Sequence, residues 1–132
     1  MPDRPFASGP SALAGWCRYA DRDHVALLDR TFEAVVFDWD GTAVAHRRAS
    51  AVAVRRRVEA LTDRGVDVAV VSGTHVGNID GQLRARPTGP GRLLLAVNRG
   101  SELYLVGSQG PHLIARRRPT AAEGAALDRA AA

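Results

Sequence analysis

The chain has 132 residues, the size of one ordinary domain, and its 45% hydrophobic and 24% charged residues are typical of a globular protein. No segment approaches the length of apolar sequence that crosses a membrane, and the first residues form no continuous apolar run, so the sequence predicts neither a transmembrane helix nor a secretory signal. The 18 basic residues, all arginine, exceed the 14 acidic ones, but no aromatic residues lie among the arginine runs to stack on bases, so nucleic acid is not the predicted partner.

Residues 1–30 form a predicted N-terminal extension. Residues 1–10 are rich in proline, glycine and serine, which is typical of a disordered terminus. Between residues 11 and 29, apolar side chains recur at i, i+3, i+4 and i+7, the spacing of one helix face, which predicts a short amphipathic helix. The single cysteine, Cys17, excludes an internal disulfide and indicates a reducing, cytoplasmic location.

Three short apolar runs alternate with two amphipathic segments in the middle of the chain. The runs EAVVFD, VDVAVVS and RLLLAVN predict buried strands over residues 33–38, 66–72 and 92–98. Between them, residues 50–64 and 75–83 have helical patterns. This alternation predicts an α/β fold with a Rossmann-like core, in which the three strands form a parallel sheet.

The pattern changes after the third strand. The runs ELYLVG and HLIARR, on either side of Ser108-Gln109-Gly110, predict a β-hairpin, and a helix is predicted to begin at about Thr120. The sequence therefore divides into a predicted extension, a partial α/β core, and a hairpin with the start of a cap or terminal helix: residues 1–30, 31–106 and 107–132.

Two aspartates, Asp38 and Asp40, lie one residue apart where the first strand ends. Carboxylates this close repel each other and resist burial, so a nearby cation is a usual reason to keep them together. In parallel sheets, ligands gather at the carboxyl ends of the strands, where Ser72 ends the second strand. Mg²⁺ takes carboxylate and phosphate oxygens, which predicts magnesium-assisted phosphate chemistry. The hydroxyls and backbone N–H groups predicted to bind phosphate belong to Ser72, Gly41, Thr42, Gly73 and Thr74.

The DxD spacing also allows the two carboxylates to have different chemical roles. Because alternate side chains of a strand share a face, Asp38 and Asp40 can approach the same substrate. One carboxylate could attack phosphorus to form an aspartyl-phosphate, and the other could protonate the leaving oxygen and later activate water. The simpler alternative is a pair of acidic loop residues after a strand, because a bare DxD is common.

The motifs VVFDWDGT and VAVVSGT, in this order of strands and helices, resemble the first and second motifs of the haloacid dehalogenase-like (HAD) superfamily. The resemblance implies that Asp38 is the nucleophile and Asp40 the general acid and base. It also implies that Mg²⁺ binds the Asp38 carboxylate and the main-chain carbonyl of Asp40, and that Ser72 binds phosphate. Gly41 would let the loop turn sharply, and Thr42 would brace it.

The segment LLLAVNRGSELYLVGSQGPHLIARR is similar to the opening of the cap in the type IIB members, the Cof-like and the trehalose- or sucrose-phosphate phosphatases. Asn98, Gly100 and Ser101 match the junction after the third strand there, with Arg99 between them. The superfamily's third motif is usually a lysine, and this chain has none. Arg92 and Arg99 precede the position of that motif, and no acidic cluster resembles the fourth motif.

The resemblance therefore implies the N-terminal part of a Mg²⁺-dependent phosphatase that hydrolyses a small phosphomonoester, such as a sugar phosphate, through an aspartyl-phosphate. We expect the isolated chain to be inactive, since the third and fourth motifs are missing. The alternative is a non-catalytic HAD-like domain that binds phosphate or a partner. Without the strands that carry the fourth motif, the first strand is expected to be an apolar edge through which the chain could self-associate.

Three other features bear on the predicted site or its surroundings. The run Arg55-Arg56-Arg57 is a candidate contact for the phosphate backbone of a nucleic acid. It lies largely off the apolar stripe of its helix, however, which favours a solvated helix face. Trp39 lies between the two aspartates and is predicted to form a wall of the site. His75, which follows the SGT motif, is either a substrate contact or a polar residue at the start of a helix.

Overall fold

The computed structural model of the chain describes residues 30–131, and the predicted helix over residues 11–29 lies outside them. Residues 33–131 belong to one compact unit. In the described part of the chain, the strands are β1 (Ala34–Asp38), β2 (Asp67–Val71), β3 (Leu93–Val97), β4 (Glu102–Gly107) and β5 (Gly110–Arg116), and the helices are α1 (Val52–Asp63), α2 (Val76–Leu83) and α3 (Ala121–Ala131).

The five strands form one mixed sheet in the order β1-β2-β3-β4-β5. β1 pairs with β2 in parallel, with Val35 opposite Val68, and β2 pairs with β3 in parallel, with Val70 opposite Leu95. The predicted parallel arrangement of the first three strands is therefore confirmed. Each parallel connection contains a helix, α1 and then α2, as a crossover between parallel strands requires.

The hairpin continues the same sheet. β4 pairs antiparallel with β3, and β5 pairs antiparallel with β4, so the sheet has two parallel and two antiparallel pairs. The reversal after β3 occurs within Asn98, Arg99 and Gly100, whose φ angles of 50°, 58° and 81° all lie in the left-handed region. The Asn98 side chain donates to Glu102 Oε2 at 2.7 Å, which ties the turn to the start of β4.

The core lies between the sheet and the two crossover helices. α1 packs against β2, and α2 packs against β3. Because side chains alternate along a strand, one face of the sheet supplies the buried residues. The fully or almost fully buried side chains of this layer are Val58, Val68, Val70, Ile79, Leu83, Leu93, Leu95 and Val97.

The loop before β3 approaches the end of α1 so closely that it requires glycine. The backbone N–H of Gly91 donates to the carbonyl of Thr62 at 2.8 Å, and a Cβ built on Gly91 would lie 2.4 Å from the carbonyl oxygen of Val66. Thr62 is itself fully buried, and its hydroxyl donates to the carbonyl of Val58 at 3.1 Å. The loop is therefore fixed to α1 by backbone contacts at the end of the strands opposite the predicted site.

An ion pair lies at the same end of the sheet. The backbone N–H of Arg92 donates to Asp67 Oδ1 at 2.8 Å, and its guanidinium donates to Asp67 Oδ2. These hydrogen bonds from the Arg92 side chain and backbone hold the pKa of Asp67 below its ordinary value. The pair joins the first residue of β2 to the residue before β3.

β1 is an edge strand of the described sheet. Its one strand partner among residues 30–131 is β2, and Val36 is 65% exposed. The expected apolar edge is therefore present in the described part of the chain. Unpaired N–H and C=O groups on such an edge can pair with another strand.

The last helix begins with a capping box. The Thr120 hydroxyl accepts from the backbone N–H of Glu123 at 3.2 Å, and the Glu123 carboxylate accepts from the backbone N–H of Thr120 at 2.8 Å. The N–H and the hydroxyl of Thr120, which both donate to the Glu123 carboxylate, and the charge of Arg117 lower the pKa of Glu123. α3 begins one residue after the predicted start. Within the described residues, no helix is both long enough and apolar enough to cross a membrane.

Candidate active site

Two loops meet at the carboxyl edge of the parallel strands. The first, residues 39–44, follows β1, and the second, residues 72–75, follows β2. The backbone N–H of Trp39 donates to the carbonyl of Val71 at 3.2 Å, so the pairing of β1 with β2 continues into the first loop. The N–H of Ser72 likewise donates to the carbonyl of Ala96 in β3 at 2.9 Å.

The first loop is a tight turn closed by its own backbone. The N–H groups of Thr42, Ala43 and Val44 all point to the carbonyl of Trp39, at 3.3, 3.0 and 3.2 Å. Gly41 has a φ of 76°, which favours glycine, and its N–H donates to the carbonyl of Val44 at 2.8 Å. The predicted phosphate donors Gly41 and Thr42 thus already use their backbone N–H groups inside the loop.

Other backbone donors of the two loops are open instead. The N–H groups of Asp40 and Gly73 make no hydrogen bond to any residue in the range 30–131, and both residues are exposed. They come from different loops and belong to the two sequence motifs. An oxyanion placed at this edge could accept from both.

The aspartates occupy the exposed side of the chain, and Trp39 the buried side. Asp38 and Asp40 are both exposed, whereas Trp39 is 0% exposed and donates from Nε1 to Gln82 Oε1 at 2.9 Å. The prediction that Trp39 forms a wall of the site is therefore wrong. The alternation that places both carboxylates on one side turns the indole toward α2 and into the core.

Thr42 holds one of the two carboxylates. Its Oγ1 donates to Asp38 Oδ2 at 2.9 Å, across the tight turn. The other carboxylate oxygen of Asp38 has no protein donor among the described residues. The hydrogen bond therefore orients the carboxylate and leaves one oxygen available.

Ser72 connects the two loops. It is 3% exposed, and its Oγ donates to Asp40 Oδ2 at 3.4 Å and accepts from the N–H of Thr74 at 3.2 Å. The Thr74 hydroxyl in turn accepts from Asn78 Nδ2 at 2.6 Å. His75 is the residue before α2 and makes no capping bond with its side chain. The predicted residues of the two motifs are thus brought together at one edge.

A third loop, the turn after β3, brings Arg99 to the same edge. The N–H of Asn98 donates to the carbonyl of Thr74 at 2.8 Å, so the turn after β3 contacts the SGT loop. A Cβ built on Gly73 would lie 3.9 Å from Cγ of Arg99. The order of motifs along the chain excluded Arg99, but the end of the third parallel strand lies at the same edge as the first two. The position of Arg99 directly after the third predicted parallel strand is the signal that could have identified it as a site residue.

The donor set at this edge fits a cation that takes few protein ligands. Asp38 and Asp40 supply carboxylates, and the basic group that approaches them within the described range is Arg47, with Nε 4.0 Å from Asp40 Oδ1. No group of three or more histidine, cysteine, aspartate or glutamate side chains gathers there among residues 30–131. Mg²⁺ commonly binds one or two carboxylates and completes its shell with water and phosphate oxygens, so two carboxylates suit it.

No family model and no curated protein matches this chain. One solved structure that is similar to it is a hypothetical protein from Geobacillus kaustophilus HTA426, with 20% sequence identity and a TM-score of 0.47. The likeness covers 76% of this chain and 36% of that protein, so the chain spans about a third of its length. It assigns neither a family nor a function.

Proposed function

We propose that this chain carries the first half of the active site of a Mg²⁺-dependent phosphatase of the HAD-like superfamily. Its substrate is a small phosphomonoester, with sugar phosphates as the leading class. The observation that carries the proposal is the contact between the two motifs, where Ser72 of SGT donates to Asp40 of DWDGT at 3.4 Å. Asp38, open on one carboxylate oxygen, lies at the same edge.

Asp38 is the nucleophile in this proposal. Its free carboxylate oxygen forms a bond to phosphorus while the bond from phosphorus to the leaving oxygen breaks. The hydrogen bond from Thr42 fixes the carboxylate during this step. Asp40 gives its proton to the leaving oxygen and later takes a proton from the water that hydrolyses the aspartyl-phosphate. The products are the free alcohol and inorganic phosphate.

The remaining residues bind the phosphoryl oxygens. The open N–H groups of Asp40 and Gly73 can donate to them, and fixed donors of this kind favour the charge of a phosphoryl group in transit. The Ser72 hydroxyl donates to Asp40 in this structure and would turn to the phosphate when substrate binds. The Asp38 carboxylate and the main-chain carbonyl of Asp40 would hold Mg²⁺, which supplies positive charge to the phosphate oxygens when bound.

Arg99 is the proposed local source of fixed positive charge. Its side chain passes beside Gly73 while the residue as a whole remains exposed. The superfamily's usual lysine comes from a later motif, and arginine carries the same charge with a planar group suited to phosphate. Arg99 would therefore partly compensate for the absence of lysine from this chain.

A second candidate function is phosphate binding without turnover. It is favoured by the acidic ligand set, which is limited to two carboxylates within the described residues. Removing one stabilising donor from an active site typically lowers the rate by about 10²–10³. A site with a loosely held metal could bind a phosphate group and still fail to transfer it.

Beryllofluoride, a phosphoryl mimic, tests the proposal. We expect it to bind the full chain only with Mg²⁺ present, and Asp38→Asn to abolish binding, because the change removes a cation ligand and the attacking oxygen. Asp128→Asn, a matched loss of charge on exposed α3, should bind as the wild type does. Binding that ignores both Mg²⁺ and Asp38→Asn would mean that the aspartates are ordinary loop residues.

Turnover separates the two candidate functions. Purified chain can be assayed with p-nitrophenyl phosphate and a panel of sugar phosphates in millimolar Mg²⁺. Mg²⁺-dependent beryllofluoride binding without turnover would favour the binding function. Turnover that disappears in Asp38→Asn would favour the phosphatase and would contradict the expectation of an inactive isolated chain.

A further inference from the structure

A cleft rich in arginine lies beside the candidate active site. It has a volume of about 440 Å³ and runs between residues 47–52, the first turn of α1 and the exposed side of α2. Four of its lining side chains are basic, and none is acidic. We call it the arginine cleft, after Arg47, Arg48, Arg55 and Arg84.

Arg48, Arg55 and Arg84 form no ion pair with a carboxylate among residues 30–131, and neither do exposed arginines outside the cleft such as Arg56 and Arg57. Outside the cleft, Arg86, Arg92, Arg116 and Arg117 all form ion pairs with an acidic side chain at no more than 3.0 Å. Within the cleft, the ion pair recorded among residues 30–131 is the long one, Arg47 to Asp40 at 4.0 Å. The cleft therefore concentrates positive charge that the described protein does not neutralise.

The structure divides the arginine triplet of α1. Arg55 is half-buried and lines the cleft, whereas Arg56 and Arg57 are exposed and do not line it. The interpretation of the whole triplet as a solvated helix face thus holds for the last two residues and not for the first. Arg55 lies in the first turn of α1, next to Ala51 and Val52, which also line the cleft.

The amino end of α1 adds to the same positive field. Its first turn contains no acidic residue, and the side-chain contact to its N–H groups is the long one from Val52 N–H to Ser50 Oγ at 3.5 Å. The start of a helix of 12 residues carries a partial positive charge on its free N–H groups. In combination with four arginines, this end of the helix favours an anion in the cleft.

Two lining residues of the arginine cleft contact the loops of the candidate active site at the carboxyl edge of the parallel strands. Arg47 approaches Asp40, and Asn78 donates to the Thr74 hydroxyl of the SGT loop at 2.6 Å. A small molecule whose phosphate lies at the loops can therefore extend into the cleft.

We propose that the arginine cleft binds a second anionic group of the substrate. The substrate class is then a phosphomonoester that carries another phosphate or a carboxylate on the same small molecule. This inference rests on the proposed function for the position of the first phosphate. The second group selects the substrate, and it is not the group that is hydrolysed.

The test uses the full chain and matched pairs of probes. A series of α,ω-alkanediol bisphosphates, the corresponding alkyl monophosphates and ω-carboxyalkyl phosphates are titrated by calorimetry with Mg²⁺ present. The chain length of the series allows for the distance between the two subsites. We expect the best bisphosphate or carboxyalkyl phosphate to bind at least about tenfold more tightly than its monophosphate, because it gains charge-assisted contacts with arginine.

Matched variants locate the effect. Arg48→Gln/Arg55→Gln should remove the preference for two anionic groups, and Arg48→Lys/Arg55→Lys should retain part of it. Arg56→Gln/Arg57→Gln makes the same change of charge on the same helix outside the cleft and should keep the preference. Circular dichroism and melting temperature establish that each variant folds.

Three results would overturn the inference or the function on which it rests. Mg²⁺-dependent binding of monophosphates with no preference for a second anion refutes the arginine cleft and leaves the proposed function in place. Bisphosphate binding that needs Arg48 and Arg55 but neither Mg²⁺ nor Asp38 refutes the proposed function and leaves the cleft as an anion site. Tight binding of a single-stranded oligonucleotide, lost in Arg48→Gln/Arg55→Gln and outcompeting every bisphosphate, refutes the small-substrate assignment.

Discussion

Gln82 is predicted to stabilise both the core and the aspartate loop, and Gln82→Ala tests this. Its Oε1 accepts from Trp39 Nε1 at 2.9 Å, and its Nε2 donates to the carbonyls of His46 and Ala49 at 3.1 and 2.8 Å. One amide on α2 therefore satisfies a buried indole and holds the segment after Asp40.

The expected cost can be estimated bond by bond. Trp39 is 0% exposed, so loss of its acceptor leaves a buried N–H unsatisfied, at a cost of about 1–3 kcal/mol. The two carbonyls belong to residues that water reaches, so their bonds are worth about 0.5–1.5 kcal/mol each at most. Gln82→Ala should thus lower the free energy of unfolding by about 2–4 kcal/mol, a large part of the roughly 5–15 kcal/mol of an ordinary domain.

Urea unfolding followed by far-ultraviolet circular dichroism measures this cost. Gln82→Glu keeps the acceptor for Trp39 but loses both donors, so it should cost less than Gln82→Ala if the indole bond dominates. Trp39→Phe combined with Gln82→Ala should give a coupling free energy of about 1 kcal/mol or more, since the two residues share one bond. A loss below about 0.5 kcal/mol in Gln82→Ala, or additive effects in the double variant, would refute this account of the loop.

Three further predictions concern the end of the sheet opposite the candidate site and the proposed nucleophile, Asp38. Gly91→Ala should destabilise the chain by about 1–3 kcal/mol in urea unfolding, because its Cβ would lie 2.4 Å from a backbone oxygen, whereas Gly124→Ala, with nothing within 4 Å of its Cβ, should stabilise α3 slightly. The pKa of Asp67 is lowered by Arg92, so its pair stabilises the fold above the unfolded pKa of about 3.8 and is lost as the pH falls through the lower folded value. The melting temperature of Asp67→Asn should therefore lie below that of the wild type at pH 6 and approach it below about pH 4; a constant difference down to pH 2 would contradict the assignment. Thr42→Val should leave the unfolding free energy within about 0.5 kcal/mol but weaken Mg²⁺-dependent beryllofluoride binding about tenfold by calorimetry, and Thr42→Ser should restore it.

The sequence predicted the elements of the core because local signals and packing agree there. The apolar runs that became β1, β2 and β3 are short, rich in β-branched residues and bounded by glycine or polar residues, and the structure shifts their ends by a residue at most. Parallel pairing followed from the helices between them. The same pairing placed the DWDGT and SGT loops at one edge, as predicted.

The features that the sequence did not predict are those that depend on tertiary contacts. Incorporation of the hairpin into the same sheet depends on three consecutive left-handed residues, and arginine in the middle of such a turn gives no local sequence signal. The alternation of side chains already predicts that Trp39 lies opposite the two aspartates, but its hydrogen bond to Gln82, 43 residues away, gives no local signal. Arg99 and Arg55 acquire their positions only when the loops and helices assemble.

The open edge of β1 has a consequence for hydrogen exchange. Successive N–H groups of a strand point to opposite sides, and that of Trp39 points to β2. The N–H groups of Val36 and Asp38 therefore point to the open side, and we expect them to exchange with solvent far faster than those of Val35 and Phe37. A strand added along this edge would slow the exchange of both amides and would place its own backbone beside Asp38, the proposed nucleophile. If association occurs through this edge, the exchange rates of the Val36 and Asp38 amides should fall as the protein concentration rises. The same measurement would then report both the association and the new backbone next to Asp38.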